Sequence, residues 1–134
     1  MQDKRVDDLP VKLKTIKVKK RYFNYLVFYT PDKQTILEQR KGKGIWEGLY
    51  QFPNIETNKE VDRNYIKSKL KQEHLSLSLY NQDTIIHKLS HQHIYTKFWI
   101  IETNKLPDTG IDISKIHTFP VPVLIQNFLT GFKV

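Results

Sequence analysis

No cysteine occurs anywhere in the chain, so disulfides, thiolate zinc sites and iron–sulfur ligation within it are excluded. Methionine appears once, and no apolar run approaches the roughly 20 residues that a membrane-spanning helix needs. The start, Met1-Gln2-Asp3-Lys4-Arg5, has no apolar stretch behind it that could serve as a secretion signal. Acidic residues are also comparatively few. Fourteen Asp and Glu face twenty-two Lys and Arg, a formal charge of +8 with a pI near 9.6, and such an imbalance attracts polyanions, nucleic acid first among them. Ordinary surface charge would look the same, so the charge alone does not choose. The missing span and signal lead us to expect a soluble, cytoplasmic protein; a nucleoid-associated monomer is expected.

What is present can fold. Of 134 residues, 39% are hydrophobic and 12% aromatic, enough to bury one core and offset chain entropy. Residues 1–10 are charged and aperiodic and read as a lead-in or linker remnant, leaving 11–134 as a single domain. Residues 11–30 are rich in β-branched and aromatic side chains and predict a long strand. Thr30-Pro31-Asp32-Lys33 supplies turn chemistry before a second strand over 34–40, which predicts an antiparallel hairpin. Residues 62–72 place Tyr65, Ile66 and Leu70 at helical spacing.

Two further strands are expected at 83–89 and 94–102. Ile85, His87 and Leu89 share one parity while Ile94, Phe98 and Ile100 share the other, so a turn must separate them. Ser90 to His93 therefore falls at a hairpin tip, where side chains reach outward from a rigid base. Residues 111–116 read as a short edge strand. Pro122 can open a final helix, in which Val121, Leu124, Ile125, Phe128, Leu129 and Phe132 form one apolar face. The expected class is α+β: a mixed or antiparallel sheet with two packing helices.

Two segments carry more information than the rest. Gly44-Ile45-Trp46-Glu47-Gly48-Leu49-Tyr50-Gln51-Phe52-Pro53 is a glycine-rich aromatic turn, and Leu89-Ser90-His91 is a Ser-His tip. Together with Arg40 before the first and Val121-Pro122 after the second, they resemble the C-terminal domain of MutY-type adenine DNA glycosylases. The likeness spans residues 18–129. It implies a Nudix-like sandwich that inspects 8-oxoguanine opposite adenine. It also implies a separate N-terminal helix-hairpin-helix domain, carrying an iron–sulfur cluster, that removes the adenine. The implied partner is double-stranded DNA containing that mispair, and no cofactor is expected in this chain.

By the same resemblance, Ser90, His91, Leu89 and Gln92 form the recognition group. Arg40, Lys41, Lys43, Gly44, Trp46 and Leu49 are candidates for DNA contact, although Trp46, Leu49 and Phe52 fit a core role better than base stacking. Lys12, Lys14, Lys17, Lys19, Lys20 and Arg21 add a basic stretch that would suit either phosphate contact or a Lys-guarded edge strand. The family usually has Phe where Leu89 stands and Trp where Tyr50 stands. Leu89 would thus replace an aromatic contact with aliphatic packing.

Catalytic residues are not expected here, and a second reading stays open, a catalytically degenerate Nudix-fold module that binds a nucleotide or another protein. Nudix hydrolysis needs a glycine, a five-residue gap and a glutamate, followed by clustered carboxylates on a helix that hold divalent metal. At the first spacing Gly48 is followed by Asn54, and the candidate helix reads Arg63-Asn64-Tyr65-Ile66-Lys67-Ser68. Hard oxygen ligands cannot be assembled from that set. His87, His91 and His93 also fail as a metal site, because alternation along a hairpin scatters them and no acidic ligand lies close in sequence.

Ordinary guanine shows acceptors N7 and O6 on its major-groove edge. Oxidation at carbon eight turns N7 into an N–H donor and adds an acceptor oxygen, O8, beside it. A serine hydroxyl can accept from that N–H. Ser90 is the expected reader, with His91 supporting the tip or contacting a phosphate.

Overall fold

A computed structural model describes residues 17–42, 44–70 and 74–132. The lead-in expected at 1–10 and the residues Lys12, Lys14 and Lys43 lie outside the described residues. The centre of the fold is strand β1, Lys19–Tyr29, in which every side chain from Phe23 to Phe28 is buried. Burial on both faces explains why this stretch is a nearly continuous apolar run and does not alternate. The short strands β2 (Gln34–Thr35), β3 (Glu38–Gln39), β4 (Tyr50–Gln51) and β5 (Asn54–Thr57) follow, then helix α1 (Arg63–Lys69) and strand β6 (Ser76–Leu79). Strands β7 (Ile85–Lys88), β8 (Gln92–Glu102) and β9 (Ile111–Asp112), a 3-10 helix (Ile113–Thr118) and helix α2 (Val123–Gly131) complete the order.

β1 runs parallel to β8 along its whole length, Lys19 opposite Gln92 and Tyr29 opposite Glu102. Its other edge takes β5 antiparallel over Tyr22–Tyr25. The far edge of β8 is shared, with β7 pairing from His93 to Thr96 and β6 from Trp99 to Glu102. Asn81 bridges the gap: its Nδ2 donates to the Thr96 carbonyl at 3.0 Å, and its Oδ1 accepts from Phe98 N–H at 2.8 Å. A side-chain amide there does what a strand would otherwise do.

One face of this sheet packs on α2 through Phe23, Tyr25, Val27, Ile94 and Phe98; the other packs on α1 through Leu26, Phe28, Trp99 and Ile101. The architecture is the expected α+β sandwich. α2 keeps the expected apolar face, with Leu124, Ile125 and Phe128 buried, although Pro122 is its N-cap and the helix proper starts one residue later. In α1 the Asp62 side chain accepts from Tyr65 N–H at 2.9 Å, a standard N-cap, and Leu70 already has extended backbone, so the helix stops short of 72.

Three expectations change. The turn at Thr30 forms, with Lys33 N–H donating to the Thr30 carbonyl at 2.9 Å, but the hairpin beyond it does not. β2 pairs with β9, and β3 with β4, because β5 and β8 already occupy the edges of β1. The segment 111–116 is strand only through Asp112; that side chain accepts from Ser114 N–H at 2.9 Å and starts the 3-10 helix. Strands β5 and β6 arise where no strand was expected.

Candidate nucleic-acid interface

The aromatic turn leaves the sheet between β3 and β4. Arg40 N–H donates to the Leu49 carbonyl at 2.8 Å and Gly48 N–H to the Arg40 carbonyl at 2.9 Å, closing the loop at its neck. Inside it Gly44 (φ 140°) and Gly48 (φ 84°) take backbone conformations that favour glycine, which is why the segment is built around them. Trp46 has φ 58°, a left-handed conformation that costs a non-glycine residue about 1–2 kcal/mol.

What holds Trp46 there is ring packing. Its indole lies 6.1 Å from the Phe23 ring at 77° and 5.7 Å from the His87 ring at 58°. Below the loop the half-buried Arg40 has two nitrogens committed. Its Nε donates to the Ile45 carbonyl at 3.1 Å and its Nη1 to Gln51 Oε1 at 3.3 Å, an oxygen that also accepts from the Tyr25 hydroxyl at 3.0 Å. Burial pushes the Tyr25 hydroxyl well above the ordinary tyrosine range, so it acts only as a neutral hydrogen-bonding group. Burial also raises the Glu38 carboxyl, against the opposing effects of Gln51 and Arg40.

The Ser-His tip joins β7 to β8. Leu89 N–H donates to the Gln92 carbonyl at 2.7 Å, and Lys19 N–H donates to the His91 carbonyl at 2.9 Å. Ser90 and His91 are exposed between these anchors, while Leu89 packs against the same core cluster as Ile45 and Trp46. The structure thus brings two segments far apart in sequence to one surface, through the His87–Trp46 contact and the shared packing of Leu89.

Arg21 on β1 completes the surface. Its Nε and Nη2 donate to the two Glu56 oxygens at 2.8 and 2.7 Å, and its Nη1 donates to Gln92 Oε1 at 3.0 Å. These bonds from Arg21 hold the Glu56 carboxyl below the usual range and raise the Arg21 pKa, so the pair is ionised at neutral pH. The guanidinium carbons of Arg21 and Arg40 lie 5.0 and 5.5 Å from the Phe23 ring centroid. Lys17, Lys19, Lys20, Lys41 and Lys88 are exposed, as is Gly44.

Of the sequence candidates, Ser90, His91, Lys41 and Gly44 are therefore exposed, Gln92, Leu89, Trp46 and Leu49 are half-buried, and Arg40 serves the loop. Phe52 is fully buried, as a core role requires. Sequence reasoning missed Arg21 as a structural link, together with its partners Glu56 and Phe23. Only the β1–β8 register places Arg21 beside Gln92, and no local pattern announces a parallel register.

Among the described residues, α1 does not offer the carboxylates that Nudix hydrolysis uses to hold a divalent cation. The exposed side chains of α1 include Arg63, Asn64, Lys67 and Ser68, two cations and two neutral groups in place of carboxylates. Among the described residues no three His, Cys, Asp or Glu lie together in a way that could hold a metal. A cavity of about 530 Å³ lined by His74, Leu75, Thr103, Asn104, Lys105, Leu106 and Pro107 shares no residue with the surface described above.

Trp46 offers a direct test of the loop. Trp46→Ala is expected to destabilise by about 2 kcal/mol, below the figure for a fully buried ring because the residue is half-buried. Trp46→Gly should be less damaging by about 1 kcal/mol, because glycine relieves the left-handed backbone. Urea denaturation of both variants checks the order; a less stable glycine variant would show that φ at this position is not strained.

A family model described as the NUDIX domain matches residues 24–131. No curated protein matches the chain. Among solved structures, the C-terminal domain of mouse MUTYH, seen in complex with human PCNA, superposes with a TM-score of 0.58 at 13% identity, covering 82% of this chain and 85% of that one. A structure of MutT, from work on the enzymes of Aliivibrio salmonicida and Vibrio cholerae, gives a TM-score of 0.53 at 11% identity, covering 85% of this chain and 100% of that one. At such identities the likeness is one of fold. Among the described residues no helix is long and apolar enough to cross a membrane.

Proposed function

The chain belongs to the NUDIX domain family, and on that premise we propose that it is a DNA-recognition domain for 8-oxoguanine paired with adenine. In this reading it serves an adenine-specific DNA glycosylase in base excision repair, whose helix-hairpin-helix domain and iron–sulfur cluster are carried elsewhere. The observation that supports it most is the exposed Ser90-His91 tip, anchored at both ends by backbone bonds and set beside the Trp46 loop and the Lys19–Lys20 cations. A rigid tip can present a hydroxyl to a base edge without a large ordering cost. The lysines supply the salt-dependent, sequence-independent part of binding.

Ser90 Oγ accepts from the N7–H of the lesion, and His91 and Lys41 face phosphates. The likeness to the mouse MUTYH domain supports the repair context. A difference of donor and acceptor pattern is worth about 1–3 kcal/mol for a good base contact, so a preference of roughly ten- to a hundredfold follows.

The test is competition binding of duplexes that differ only in 8-oxoguanine:adenine against guanine:adenine, at fixed salt. The proposal expects preference for the lesion. Equal, salt-sensitive binding would reduce the surface to a generic cationic one. Magnesium-dependent release of pyrophosphate from oxidised nucleotides would replace the proposal with a hydrolase.

A further inference from the structure

Among the described residues of the interface, Arg21 is a cation each of whose three nitrogens donates to another side chain. Nε and Nη2 chelate Glu56, Nη1 reaches Gln92, and the Arg21 side chain is only 16% exposed. Its charge is therefore balanced by Glu56 and is poorly placed to neutralise a phosphate. What remains is its effect on Gln92.

A guanidinium has donors and no acceptor, so only the carbonyl end of the Gln92 amide can face it. The orientation of that amide, often ambiguous in a glutamine, is here dictated by chemistry. With Oε1 turned to Arg21, the free end of Gln92 is Nε2, a pure donor, and it has no acceptor among the described residues. Ser90 and Gln92 flank His91 in a tip closed by the Leu89 N–H to Gln92 carbonyl bond.

We infer that Gln92 is a second specificity-determining residue, whose Nε2, oriented by Arg21, donates to O8 of 8-oxoguanine while Ser90 Oγ accepts from the adjacent N7–H. This rests on the function proposed above. The tip would then offer one acceptor and one donor to the two ring positions that oxidation changes. Ordinary guanine has only a C–H at position eight and gives Gln92 no acceptor there, whereas the Ser90 hydroxyl can rotate and donate to its N7, so the Gln92 contact is the one that undamaged guanine cannot make. Arg21 acts as a positioning residue and touches no base.

The experiment measures, for the 134-residue chain, the ratio of affinities for 8-oxoguanine:adenine and guanine:adenine duplexes. Gln92→Glu keeps a partner for Arg21 but turns the free end into an acceptor, and Gln92→Met removes the donor without adding charge. Both should lower the ratio by about tenfold, the lower end expected for one good base contact; Gln92→Glu should keep the unfolding temperature, and Gln92→Met should lower it slightly because the bond from Arg21 is lost. Arg21→Lys, whose single ammonium cannot hold Glu56 and Gln92 in one fork, should lower the ratio by a smaller factor. In the wild type the Gln92 side-chain amide resonances should shift on adding the lesion duplex and stay in place with the undamaged one.

A purely structural role for Gln92 would change stability and both affinities together, leaving the ratio intact. If Gln92→Met keeps the wild-type ratio while Ser90→Ala loses it, this inference is overturned and the lesion-reader function survives. If the wild-type ratio is one, both fall.

Discussion

Replacing Ser90 with alanine is expected to lower the preference for 8-oxoguanine:adenine over guanine:adenine by about tenfold or more, within the range for loss of one base contact. Stability should not move, because Ser90 is exposed and makes no side-chain hydrogen bond within the described residues. The loss should appear in the ratio of affinities. Binding to undamaged duplex, which the proposal gives to the exposed Lys19, Lys20 and Lys41, should stay within a factor of two and keep its dependence on salt. A drop in melting temperature would mean that the hydroxyl holds the tip and does not read a base.

Phe128→Ala should have the largest effect on the fold itself. Its ring is 4% exposed and stacks on Phe98 at 4.2 Å and 14°, with Phe52 and Tyr80 edge-on at 5.6 and 4.9 Å and Phe132 stacked at 5.1 Å. Truncation opens a cavity among rings that cannot collapse into it, at a cost of about 3–5 kcal/mol. For a domain of this size that corresponds to a fall of roughly 10–20 °C in melting temperature. A loss under about 1 kcal/mol would show that α2 is not packed on the sheet as described. Because Phe98 belongs to β8, the strand that starts at Gln92, the same variant should also loosen the recognition tip.

Much of this fold could be read from local pattern. The apolar face of α2, the helical spacing of Tyr65 and Ile66 in α1 and the parity switch around Ser90 are short-range signals, and each appears where the sequence places it. The two-residue strands β2, β3, β4 and β9 were not legible, because their identity depends on partners elsewhere in the chain. Residues 34–40 looked like one strand of a hairpin, yet the interior position of β1 left them no edge to join. Residues 111–116 misled for a different reason: Asp112 and Ser114 form a capping pair, and that chemistry outweighs the apolar alternation of Ile111 and Ile113.

The candidate site divides the same way. Ser90 and His91 were visible as a polar tip between apolar strands, and Gly44 and Gly48 as a loop needing special backbone. The roles of Arg21 and Arg40 were hidden, because a basic side chain looks alike in sequence whether it faces solvent or a neighbouring strand. Arg40 was a candidate for DNA contact, and the structure occupies two of its nitrogens with Ile45 and Gln51. Lys41 next to it is exposed.

Titrating isotope-labelled protein with the two duplexes reports on each backbone amide at once and so shows which residues meet the lesion. With 8-oxoguanine:adenine, Ser90, His91 and Gln92 are expected to shift together with the Gly44–Trp46 part of the neighbouring loop. With guanine:adenine the loop shifts and the tip stays largely unchanged. Shifts at the tip that are identical for both duplexes, or that fall only around His74 and Leu106, would contradict lesion reading by the tip.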